Sequence, residues 1–168
     1  DEDLEVSEGR YLMEPMVFAR LVESAEVSAD DLVLDVGSNY GYSAAVLAKL
    51  ASSLIGIDQD GDMVTQANAS LLKLEIGNAV VVEGVMHEGV AKEAPFDVIF
   101  LNGCVEYIPQ ALIDQLAEGG RMVGVRIENG LGRGFLGVKS GGIFGVEDFM
   151  DANVPMLPGF TKTKKFEF

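Results

Sequence analysis

Residues 32–50 constrain the fold more than any other stretch. Leu32-Val33-Leu34-Asp35-Val36 is apolar at nearly every position, Gly37 to Gly41 holds a glycine at each end, and Tyr42 to Ala51 is rich in Ala and Leu. A run apolar on both faces suits a central strand of a parallel sheet, because helices cover both sides of such a strand. The glycines then make a turn into a helix. At that junction the helix presents unpaired N–H groups and its positive end. Ligands of open α/β sheets bind there, at the carboxyl ends of the strands. The segment therefore reads as the strand, turn and helix that hold a nucleoside cofactor.

The same alternation continues on both sides. Pro15 to Glu26 reads as a helix, with Phe18, Leu21, Val22 and Ala25 on one face and Pro15 in its first turn. Ser53 to Ile57 reads as the next strand, ending at Asp58. Asp62 to Ile76 reads as a helix, with Asp62 at its N-cap and Gly77-Asn78 stopping it. Ala79 to Glu83 and Phe96 to Leu101 read as strands. Pro109 to Leu116 reads as a helix closed by Glu118-Gly119-Gly120, and Arg121 to Ile127 as a fifth strand. This order predicts an α/β fold with a doubly wound, mostly parallel sheet. Beyond Ile127 the pattern changes. Gly134 to Lys139 and Ile143 to Phe149 are strand-like pieces around Ser140-Gly141-Gly142, with no helix between them, which predicts a C-terminal antiparallel hairpin on the sheet edge.

With 168 residues, 48% of them hydrophobic, the chain has material for one packed domain, read as spanning 1–168. It begins without an initiator Met, which is read as a trimmed domain or one lacking an N-terminal segment. The net charge of −15 repels phosphate backbones, and the one basic cluster is Lys162, Lys164 and Lys165, so no nucleic-acid partner is expected. No apolar run is long enough to span a bilayer, and Asp1-Glu2-Asp3 is the opposite of a basic leader, so no membrane partner is expected. The lone Cys104 excludes an intrachain disulfide and favours a reducing compartment, hence a cytoplasmic location. With one His and one Cys, no transition-metal site is expected. His87 is read as a surface-loop residue and Cys104 as a small packed one, since no cation stands near it in sequence to lower its pKa. Of Tyr40 and Tyr42, one is expected over the cofactor and the other on the sheet.

Asp35-Val36-Gly37-Ser38-Asn39-Tyr40-Gly41 has the form Asp-x-Gly-x-x-x-Gly. The dinucleotide fingerprint Gly-x-Gly-x-x-Gly is not met: Asn39 stands at its second glycine, and Gly41 comes one residue early for its third. An NAD-dependent enzyme is accordingly disfavoured. A plain tight turn is the bland alternative. An acid at the strand end with this glycine spacing looks instead like the first motif of S-adenosylmethionine-dependent methyltransferases. Asp58, at the end of the second strand, suits a carboxylate that accepts both hydroxyls of a ribose; its alternative is a helix cap or a solvated acid.

Several further segments resemble protein-L-isoaspartate O-methyltransferases. They are Gly41-Tyr42-Ser43-Ala44-Ala45-Val46-Leu47-Ala48, Ala94-Pro95-Phe96-Asp97-Val98-Ile99, Ile108-Pro109-Gln110-Ala111-Leu112, Gln115-Leu116 and Gly119-Gly120-Arg121. The likeness runs from about Leu12 to Val125. It implies a Rossmann-like S-adenosylmethionine-dependent methyltransferase fold, S-adenosyl-L-methionine as cofactor, and methyl transfer to a carboxylate of a protein, peptide or small molecule, in that family an isomerised aspartate. The cofactor-binding set it implies is Asp35, Gly37, Ser38, Asn39, Gly41, Asp58, Gln59, Gly84 and Val85. It assigns no catalytic residue.

The chain departs from the family in four places. Asn39 replaces a glycine at the centre of the turn; Asn is the non-glycine residue best suited to positive φ. Val85 replaces the acid that follows Gly84, which leaves an apolar wall for the adenine. Met13-Glu14-Pro15 replaces Ser-x-Pro, which removes a hydroxyl and adds a charge that repels an anionic substrate. Gly103-Cys104-Val105-Glu106 replaces Ala-Ala-Pro. Two readings follow. The first is an O-methyltransferase, whose carboxylate nucleophile needs no base at neutral pH and depends on alignment. The second is a methyltransferase-like domain with weak or no catalysis, serving as a binding or regulatory module.

Overall fold

In the computed structural model, which describes residues 2–163, the chain opens on a small hairpin of β1 (Leu4–Ser7) and β2 (Arg10–Leu12). Then follow α1 (Pro15–Ala25), β3 (Leu32–Val36), α2 (Tyr42–Ala48), β4 (Ser53–Asp58), α3 (Gly61–Lys73) and β5 (Ala79–Glu83). After two short 3₁₀ turns come β6 (Phe96–Val105), α4 (Gln110–Asp114), β7 (Leu116–Glu128), β8 (Leu131–Ser140) and β9 (Ile143–Asp151). Lys164 and Lys165, two of the three lysines of the basic cluster, lie outside the described residues.

The main sheet has seven strands in the order β5-β4-β3-β6-β7-β8-β9. The pairs from β5 to β7 are parallel, and β8 and β9 are antiparallel additions at one edge. Alternating residues of the parallel strands feed two cores. On one face Val33, Leu54, Val98 and Phe100 meet Phe18, Leu21, Leu47 and Leu71 of α1, α2 and α3. On the other face Leu34, Ile57, Ile99 and Leu101 meet Met86, Leu112, Leu157 and Phe160. Burial on both faces is what made these strands read as unbroken apolar runs. Between β3 and its neighbours β4 and β6 the chain order reverses, so the carboxyl ends of these three strands bound the crevice where an α/β sheet takes its ligand.

Local chemistry moves several boundaries from where the sequence put them. The N-cap of α3 is Asp60, not Asp62: its carboxylate accepts from the N–H groups of Asp62 (3.0 Å) and Met63 (3.1 Å). The same helix ends before Gly77, because Glu75 takes φ 56° and Ile76 N–H donates to Leu71 C=O at 3.0 Å, the paired bonds of a Schellman stop. Helix α2 closes at Ala48, short of Ala51. Strand β6 runs on to Val105, since Cys104 bonds through both its N–H and its C=O to Pro155 and Leu157. Glu118-Gly119-Gly120 is an irregular start to β7 rather than a free turn, and the Glu118 carboxylate accepts from the N–H groups of Gly141 and Gly142. No helix among the described residues is long and apolar enough to cross a membrane.

Candidate functional site

The turn after β3 is built around Asp35, which is fully buried. Its partner in register on β4 is Gly56, where a Cβ would collide with Ser38 Oγ. The missing side chain lets Ser38 fold beneath the turn and donate to Asp35 Oδ2 at 2.8 Å. Ser43, at the start of α2, donates to the same oxygen at 2.7 Å, and Asn102, in β6, donates to Oδ1 at 2.5 Å. Burial pushes the Asp35 acid up to about 6; the three donors pull it back, and the nearby charge of Asp58 adds to the rise. Asp35 therefore ties β3, the turn, α2 and β6 together.

Gly41 brings α2 close to α3. It takes φ 92°, and a Cβ there would lie 3.2 Å from the Ala67 backbone. Asn39 takes φ 55°, the left-handed conformation for which Asn is suited. The turn spends most of its N–H groups internally: Gly37 and Ser38 donate to Ile57 C=O, Asn39 to Asp58 Oδ2 and Gly41 to Ser38 C=O. Helix α2 has only seven residues, so its dipole is a small source of field. Few donors are left for a pyrophosphate, in keeping with the missing dinucleotide fingerprint.

Asp58 ends β4 with no exposure. Arg10 of β2 grips it bidentately, Nη1 to Oδ1 at 2.8 Å and Nη2 to Oδ2 at 2.5 Å. Asn39 N–H donates to Oδ2 at 2.9 Å and Asp60 N–H to Oδ1 at 3.2 Å. Burial alone raises such an acid, but the guanidinium and the two backbone donors outweigh it and hold Asp58 below the usual carboxylate range. Above Asp58 sits Asn39, whose Nδ2 donates to Tyr11 C=O at 3.3 Å and whose Oδ1 is buried without a partner. Buried polar atoms are nearly always paired, so this Asn39 oxygen is an open acceptor position next to Asp58.

A small cleft of about 20 Å³ opens alongside, lined by Gly9, Arg10, Tyr11, Met13, Asn102, Gly103 and residues 154–158. Met13, where the family places its serine, thus faces this cleft. Gly84 N–H donates to Asp58 C=O at 2.9 Å, which sets the end of β5 beside that of β4. Val85 and Gln59 are exposed and do not line this cleft.

The remaining candidates fall outside this chemistry. Cys104 is buried, and burial lifts its thiol to about 11, with Glu106 adding to the rise, so it packs rather than attacks. His87 is half-buried in a 3₁₀ turn, edge-on to Phe160, rather than on an open loop. Tyr42 packs on Phe18 of α1, with ring centroids 5.6 Å apart, and not on the sheet. Among the described residues no group of three or more His, Cys, Asp or Glu could hold a metal ion. Sequence reasoning passed over Arg10, Tyr11 and Asn102. The one available signal was a lone polar residue, Asn102, ending the apolar run of β6; nothing near Arg10 marked it.

Known proteins resemble the chain in sequence and in fold. The family model for protein-L-isoaspartate(D-aspartate) O-methyltransferase (PCMT) matches residues 1–133. A protein-L-isoaspartate O-methyltransferase of Koribacter versatilis is 40% identical over 123 residues, 73% of this chain and 55% of that protein. One from Syntrophobacter fumaroxidans is 36% identical over 143 residues, 84% of this chain and 65% of its own length. The chain thus spans little more than half to two thirds of these relatives. Two solved structures share the fold. A protein-L-isoaspartate O-methyltransferase superposes with TM-score 0.83 at 22% identity, over 94% of this chain and 52% of its own. A Plasmodium falciparum protein assigned to the same methyltransferases, solved with S-adenosyl-L-homocysteine, superposes with TM-score 0.77 at 21% identity, over 94% of this chain and 80% of its own. With a family model covering most of its length and relatives at this identity, the chain belongs to the protein-L-isoaspartate O-methyltransferase family.

Proposed function

We propose that the chain is the S-adenosylmethionine-binding domain of an O-methyltransferase that methylates a carboxylate. The observation that carries this reading is the pair of buried acids, Asp35 and Asp58, at the carboxyl ends of adjacent parallel strands, with the unpaired Asn39 Oδ1 in the turn that bonds to Asp58. The names of the relatives supply the acceptor: a protein or peptide carboxylate of the isoaspartyl kind. When bound, the cofactor supplies an electrophilic methyl group on a sulfonium.

The chain's own residues then divide the work. Asp58 is the acceptor for a ribose diol. Asn39 Oδ1 would offer an acceptor to the methionine part, and Gly84 and Val85 would offer an apolar face to the adenine. Asp35, with its oxygens engaged by Ser38, Ser43 and Asn102, would serve the cofactor by positioning the turn. A carboxylate substrate is ionised at neutral pH, so alignment rather than a base is what the site must provide. Met13 at the cleft in place of a hydroxyl favours a substrate held less by polar contacts than an isoaspartyl peptide is.

A second reading, a domain with weak or no catalysis, draws on the Arg10–Asp58 pair, which fills the ribose acceptor. Calorimetry with S-adenosylhomocysteine, followed by transfer of labelled methyl to an isoaspartyl peptide, separates the two. Binding with transfer supports the enzyme, and binding without transfer to any peptide supports the module. No heat at millimolar ligand sinks the cofactor assignment.

A further inference from the structure

We propose that the β1–β2 hairpin is a gate: Arg10 occupies the place of the ribose diol on Asp58, and a nucleoside cofactor enters by displacing it. The inference rests on the cofactor reading above and goes beyond it.

An ionised carboxylate offers about four lone-pair positions. Asp58 has four donors on it: two from Arg10, one from Asn39 N–H and one from Asp60 N–H. The two backbone donors belong to the turn and to the cap of α3, and stay with the fold. The two that a ribose diol can replace are those of Arg10.

The hairpin is also attached in a way that lets it leave. Its strands of four and three residues pair only with each other, as a sheet separate from the main one. A two-stranded hairpin is marginal by itself. Its hydrogen bonds to the rest are the Arg10–Asp58 fork, the Asn39 Nδ2 bond to Tyr11 C=O and the Asp3 carboxylate on Glu14 N–H, while the half-buried Val6, Tyr11 and Leu12 belong to neither core. Leu4 is exposed, and the buried apolar chain resumes only at Met13. Opening therefore removes no large piece of core. It frees two positions on Asp58 and the Asn39 carboxamide together, and leaves Asn39 in reach of a donor for its unpaired Oδ1.

The test compares S-adenosylhomocysteine binding by calorimetry in the unmodified chain, Arg10→Met and Arg10→Lys, with the fold of each checked by circular dichroism. Arg10→Met keeps bulk without donors, and Arg10→Lys keeps charge without the fork. The gate predicts at least a tenfold tighter Kd for Arg10→Met and an intermediate Kd for Arg10→Lys. Hydrogen exchange on the unmodified chain needs no variant to fold: on adding ligand, amides 4–12 exchange faster while those of 37–43 slow. Equal or weaker binding by a folded Arg10→Met, or hairpin amides that slow with ligand, overturns the gate while leaving the cofactor site standing. No binding by any of the three proteins overturns the cofactor reading, and the gate with it.

Discussion

Asp35 and Asp58 are both fully buried, yet their surroundings drive them in opposite directions. Asp35 has hydroxyl and amide donors but no cation, and burial lifts it from the ordinary 3.8 to about 6. Asp58 has a guanidinium, and is lowered despite its burial. The consequences for stability have opposite signs. Between pH 3.8 and about 6 the folded chain keeps a proton on Asp35 that the unfolded chain has lost. The stability from that proton is present at low pH and disappears as pH rises through 6. The contribution of Asp58 is present above the ordinary carboxylate value and is lost only as pH falls below it, so it stays nearly constant from pH 7 to 4.5. Asp35→Asn cannot titrate. Urea unfolding at the two pH values is expected to show the unmodified chain gaining about 2 kcal/mol on Asp35→Asn as pH falls from 7 to 4.5. A constant difference between the two proteins would mean that Asp35 is ionised throughout.

At the scale of elements, the angle between β3, α2 and α3 depends on Gly41. Its φ of 92° and the 3.2 Å to Ala67 leave no room for a side chain. Gly41→Ala combines a left-handed alanine with crowding against a helix backbone, at a cost of about 2 kcal/mol or more. Urea unfolding reads this as a lower midpoint with unchanged slope; a loss under about 0.5 kcal/mol would show that the turn relaxes freely. The elements around Gly41 were legible in the sequence because their signals are local. Apolar runs marked β3, β4 and the edge strand β5, and the glycines marked the turn after β3. Boundaries were less legible, since they rest on single hydrogen bonds: Asp60 rather than Asp62 caps α3, and Glu75 rather than Gly77 stops it. Hairpin β1–β2 was illegible, because Leu4–Ser7 is short, half polar and packs on no core face. The site was legible only where it is local to the turn. Arg10 meets Asp58 across 48 positions and Asn102 meets Asp35 across 67, separations that no spacing rule reaches.

At the scale of the whole molecule, the likeness in sequence and the likeness in structure end at different places. The family model stops at residue 133, whereas the solved fold covers 94% of the chain. What the C-terminal part must keep is therefore its packing more than its residues. Phe135 of β8, with Leu157 and Phe160 beyond β9, is buried in the core face that also holds Leu34, Ile57 and Ile99. The bonds of Cys104 to Pro155 and Leu157 extend β6 along the cleft. Strand β8 also covers the edge of β7, which would otherwise present open N–H and C=O groups. Burial of Phe135, Leu157 and Phe160 contributes about 1.5–3 kcal/mol each. Their sum approaches the whole stability of an ordinary domain, about 5–15 kcal/mol. A chain ended at Glu128 keeps the turn, both carboxylates and nearly all of the sequence that matches the family. It is nonetheless expected to show no cooperative unfolding transition by circular dichroism, where the full chain shows one. A cooperative transition in the shortened chain would mean that the parallel half of the sheet holds its own core, and that the antiparallel strands are an addition to the fold rather than part of what makes it stable.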